Sequence, residues 1–95
     1  MIEPTIGRIV WYRGTVHDLI PKNDQPLAAI VTYVWGPRLV NLAVFDPNGM
    51  SFSRTSVEFL QDGDAQPRGN FCEWMPYQKG QAAKTEKLEA VLASR

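Results

Sequence analysis

The sequence predicts a mainly β protein: a small SH3-like barrel over residues 1–78, followed by a C-terminal helix or tail over 79–95. Three observations lead to that class. The stretch from Leu27 to Leu60 reads as two linked β-hairpins, LAAIVTYVW, LVNLAVFD and MSFSRTSVEFL, with turns at Gly36-Pro37-Arg38 and Pro47-Asn48-Gly49. An earlier run, Ile9-Val10-Trp11-Tyr12, is apolar on both faces, as suits a strand that closes a small barrel. A late segment, FCEWMPYQ, is dense in large apolar groups and reads as a last strand or 3₁₀ piece docked on the barrel. An OB-type barrel is the runner-up, disfavoured because the strands are short and few residues remain for a fifth long one.

In chain order, Thr5 to Arg13 forms the first strand, with Gly7 at its start or at a bulge. Gly14 to Pro26 is a long polar loop with a few apolar anchors; His17 within it reads as a solvated imidazole, since no second His and no cysteine pair accompanies it. The central meander follows. Pro47 presets φ for the first turn position and Gly49 accepts the left-handed conformation at the third, which gives a three-residue loop with a G1 bulge. That loop opposes Val44 to Phe52 and Leu42 to Arg54. A three-residue loop at Gly36-Pro37-Arg38 opposes Val34 to Val40, Thr32 to Leu42 and Ile30 to Val44. Gln61 to Asn70 is a turn-rich solvated linker whose Asp62 and Asp64 lack the spacing of a calcium loop. From Lys79 the composition turns to Ala, Lys and Glu, with Leu88, Val91 and Leu92 at helical spacing.

This register assigns Ile30, Val34, Val40, Leu42, Val44 and Phe52 to the core. The opposite face carries Val31, Tyr33, Trp35, Asn41, Ala43, Phe45, Ser51, Ser53 and Thr55. Three large aromatics there, Tyr33, Trp35 and Phe45, mark either an interface or a surface covered by the C-terminal segment of the same chain. Arg54 breaks the pattern by pointing at the core face. It sits either at the open barrel end with its guanidinium in water or in a pocket where its planar fork meets a phosphate or carboxylate.

Composition narrows the function classes. Ten basic and ten acidic residues cancel, and the pI is near 6.6, which counts against a duplex nucleic-acid binder but leaves room for a compact anionic ligand. Cys72 is the single cysteine, so no intrachain disulfide can form and a reducing compartment fits. MIEPTIGR has neither the basic nor the apolar part of a signal peptide, and no apolar run reaches membrane-spanning length. The expectation is a cytoplasmic protein.

No constellation of catalysis stands out. Cys72 and His17 lie in no nucleophile–base motif, Ser51, Ser53 and Ser56 in no nucleophile elbow, and the carboxylates are scattered. No metal site, cofactor motif or phosphate-cradling glycine loop is present, so the expectation is a protein that is not an enzyme. Binding chemistry is better represented, by amphipathic aromatics next to arginines.

The pattern IEPTIGRIVWY, DQPLAAIVTYVW, LVNLAVFDPNGMSF, TSV and CEWMPYQ resembles a family of small proteins encoded by tailed bacteriophages and prophages of proteobacteria. The likeness covers about Met1 to Lys84 and is most distinctive at Cys72 to Gln78. A phage origin implies a non-enzymatic, homo-oligomeric binding protein that counters host defence by sequestering a small cyclic-nucleotide signal. On that reading Arg54 and Arg13 are phosphate donors and Trp11, Trp35 and Trp74 are stacking surfaces. The alternatives are a module that grips a host protein through Tyr33, Trp35 and Phe45, and a minor structural or nucleic-acid-associated phage protein.

Overall fold

The computed structural model describes residues 1–21 and 25–81. Five strands, β1 (Ile9–Arg13), β2 (Leu27–Gly36), β3 (Leu39–Phe45), β4 (Ser51–Leu60) and β5 (Phe71–Glu73), close into one barrel in the order β1-β2-β3-β4-β5. The first four form an antiparallel meander. β5 then fits between β4, which it meets in parallel, and β1, which it meets antiparallel. This is the small SH3-like barrel predicted. Because each of the first four strands pairs with its neighbour in sequence, the Greek-key order of an OB barrel is absent.

The second hairpin turn forms as predicted. Gly49 has φ near +87°, its N–H donates to Asp46 O at 2.9 Å, and Asp46 Oδ1 accepts the amides of Asn48 and Met50. Val44 accordingly opposes Phe52, and Leu42 opposes Arg54. The first hairpin differs. Val34 opposes Val40 as predicted, but a bulge at Thr32 shifts the phase, so Val31 opposes Leu42 and Ala29 opposes Val44. Leu27, Ala29 and Val31 therefore point inward, and Ile30 turns to the outer face. The predicted core keeps Val40, Leu42 and Val44, with Val34 and Phe52 only partly buried against it. It gains Val10, Tyr12, Ile20, Val57, Phe59, Cys72 and Trp74.

β1 is shorter than predicted because Gly7, at φ +92°, makes a turn before it. Within β1 the both-faces-apolar run divides cleanly: Val10 and Tyr12 are buried, while Ile9 and Trp11 face outward. Phe59 and Trp74 pack at 4.8 Å between ring centroids and close one end of the core. Gln61 is buried there with its amide fully used: Nε2 donates to Ile2 O and Pro37 O, and Oε1 accepts Trp74 Nε1–H. One side chain thus ties the N-terminal segment, the β2–β3 turn and the chain after β5 together, and it leaves no buried orphan amide.

FCEWMPYQ contains both a strand and a helix start. After β5 the chain is helical over 76–81. Pro76 takes the first helical position, where its missing N–H is harmless, and Gln78 Oε1 reaches back to the Met75 N–H at 2.8 Å in half of a capping box. Gln78 Nε2 also donates to Ile9 O, fixing the helix start to β1. The predicted stripe Leu88, Val91 and Leu92 lies outside the described residues.

Candidate functional site

Two regions concentrate chemically distinctive side chains. The first is a network at the barrel mouth. Tyr12 points inward from β1, Arg54 points inward from β4, and the loop after β1 brings Asp18 between them, anchored by the buried Ile20. Asp18, with its side chain 2% exposed, accepts Arg54 Nη2 at 2.8 Å and Nε at 3.3 Å, the Ile20 amide at 3.0 Å, and the Tyr12 hydroxyl. Arg54 Nη1 donates to Ser53 O at 2.7 Å. The Arg54 hydrogen bonds hold the Asp18 carboxyl well below the usual carboxylate range, against the opposing effect of its burial. Burial, then the hydrogen bond to Asp18, pushes the Tyr12 phenol above its ordinary value. The fork that the sequence offered to a phosphate is thus engaged by an internal carboxylate. The signal for that partner was available in part: an arginine aimed at a core needs a carboxylate, and Asp18 sits two residues from an apolar anchor.

The second region is the outer face of β2 and β3. These two strands contain no charged residue in seventeen positions, ten in β2 and seven in β3. Tyr33 is 47% and Trp35 58% exposed, and their rings meet edge to face at 4.8 Å. Asn41 Oδ1 accepts Trp35 Nε1–H at 3.0 Å and the Ser56 amide at 2.8 Å. That second bond steadies a bulge in β4 at which Ser56 takes φ +52°. Phe45, Ile30, the exposed Ile9 and Leu39, and Trp11 continue the apolar surface across neighbouring strands. Described residues of the C-terminal segment leave Tyr33 and Trp35 open. Sequence reading found Tyr33, Trp35 and Phe45 but missed Ile9, Ile30 and Leu39, because the Thr32 bulge decides which side Ile30 takes.

The five predicted ligand contacts do not converge. Arg54 lies in the mouth network. Arg13, at the end of β1, donates through Nε to Glu73 Oε2 at 2.5 Å, with its guanidinium carbon 5.6 Å from the Trp11 ring centroid. Trp35 stands on the outer face, and Trp74 is buried with no ring face open to a ligand.

Cys72 is fully buried, and burial pushes its thiol up to about 12, so it is protonated and shielded at neutral pH. His17 is exposed. In the linker, Asp64 is not merely solvated: it binds the Arg38 fork at 2.9 and 3.1 Å and caps the Gln61 amide. Asp62 pairs with Lys79 at 3.0 Å. Among the described residues no group of three or more His, Cys, Asp or Glu side chains could hold a metal ion. No helix of the described residues is long and apolar enough to cross a membrane. Comparison with protein-family models, with curated proteins and with solved structures finds no match to this chain.

Proposed function

We propose that this protein is a non-enzymatic interaction module that pairs with a second copy through the outer face of β2 and β3. The observation that carries the reading is the uncharged aromatic surface around Tyr33 and Trp35. A contiguous apolar patch of this kind is rare on a monomer and common where proteins meet. A second copy suits it on grounds of charge and size. Two identical uncharged faces meet about a two-fold axis without like-charge repulsion, and a domain of this size is near the limit at which a single core suffices, so association adds stability. The hydroxyls of Tyr33, Ser53 and Thr55 both donate and accept, which makes the face complementary to itself. In a phage setting, which the sequence resemblance implies, such an assembly would sequester what it binds and leave it chemically unchanged.

Native mass spectrometry and light scattering at micromolar concentration test this directly. The expected result is a dimer that becomes a monomer in the folded Trp35→Ser variant, with dissociation strengthened at least tenfold. A wild-type protein that stays monomeric at high micromolar concentration would overturn the self-pairing. A dimer indifferent to both Tyr33→Ser and Trp35→Ser would move the interface elsewhere.

A further inference from the structure

We propose that the cleft between the end of β1 and the loop before β5 binds a compact phosphate-bearing small molecule. It shares Tyr12 with the Tyr12–Asp18–Arg54 network, and none of Tyr33, Trp35 and Phe45 lines it. Its volume is about 370 Å³, within the range of small-molecule sites and far too small for a duplex.

Arg13 lines it from β1 and Arg68 from the loop opposite, with the amides of Gln25 and Gln66 as further polar groups and no Asp or Glu among the described residues of the lining. Gly14 and Gly69 also line it, and an added Cβ at Gly69 would meet nothing within 4 Å, so an anion can approach the backbone there.

The two arginines are held differently from Arg38 and Arg54. Arg38 and Arg54 each present the fork to a carboxylate of the same chain. Arg68 has no hydrogen bond or ion pair with any described residue. Arg13 donates through Nε to Glu73 and lies over Trp11, which orients its plane, and its terminal nitrogens make no hydrogen bond with a described residue. An oriented guanidinium and a second one without a described carboxylate partner, lining one cleft, are donors of the kind that a phosphate takes through paired N–H···O bonds. Neither residue predicts the other in sequence, since 55 positions separate them.

Isothermal titration with adenosine 5′-monophosphate, ribose 5-phosphate and inorganic phosphate tests the site. Saturable binding of at least one of the three is expected, weakened at least tenfold in Arg68→Gln and in Arg13→Gln but unchanged in Arg8→Gln, an exposed arginine outside the cleft. Equal affinity for the nucleotide and the sugar phosphate would assign recognition to the phosphate alone. Tighter binding of the nucleotide would identify a nucleotide site. Failure of all three to bind at millimolar concentration, or full binding by Arg68→Gln, would overturn the proposal. Thermal melting of each variant separates loss of the site from loss of the fold. Because dimerisation and ligand binding are read independently, either proposal can fail without the other.

Discussion

The barrel mouth and the outer face treat polar and apolar side chains in opposite ways. At the mouth, a tyrosine, an aspartate and an arginine sit against the core, and every strong donor meets an acceptor. On the outer face, large aromatic side chains stand in solvent, and among the described residues only Asn41 is bonded to one of them. Residues that look like ligand chemistry in the sequence thus hold the fold together, and residues that look like core stay outside. An inward arginine is a structural obligation before it is a binding group, because an unpaired buried charge is costly. An outward tryptophan carries no such obligation and is available to a partner.

If that contrast is right, breaking the mouth should hurt stability most. Asp18→Ala should cost about 2–3 kcal/mol in urea unfolding, because it takes the acceptor from the half-buried Arg54 guanidinium and the buried Tyr12 hydroxyl. A cost under about 1 kcal/mol would show that water replaces the carboxylate easily.

Acid should reveal the same network. Arg54 holds the Asp18 carboxyl below its ordinary value of 3.8, so the folded state resists protonation more than the unfolded state does. Its contribution is fully present above that value and is lost as pH falls through it toward the depressed one. A melting temperature followed from pH 6 down to acid should fall less steeply in a folded Asp18→Asn variant than in the wild type, and identical curves would contradict the assignment.

Tyr12→Phe should be milder, about 1–2 kcal/mol, since Arg54 still satisfies the carboxylate once the phenol is gone. The smallest effect belongs to the other region. Trp35→Ser should change stability by about 1 kcal/mol or less, the scale of one exposed aromatic pair. Trp35 therefore separates binding from folding, and a large loss of stability would mean that the outer face is part of the core after all.

How much could be read in advance differs from element to element. The Pro47-Asn48-Gly49 turn was fully legible, because only a residue free to take positive φ fits its third position, and Gly49 takes it. That turn placed Leu42, Val44, Phe52 and Arg54 correctly. The β2–β3 register was only half legible. Nothing in Thr32 or its neighbours announces a bulge, and one extra residue exchanges the inward and outward sets over the first half of β2. The candidate sites follow suit. Tyr33 and Trp35 lie beyond the bulge and were placed on the correct side, while Val31 and Ile30 were exchanged.

The sequence by itself determined the class of fold, the strands, the second turn and the absence of charge in β2 and β3, because these depend on alternation and turn chemistry within a few residues. Tertiary structure decided which arginines are free. Arg54 finds Asp18 across 36 positions, Arg38 finds Asp64 across 26, and Arg13 finds Glu73 across 60. Only barrel closure brings such partners together, and electrostatic pairing depends on distance in space, which local pattern does not encode.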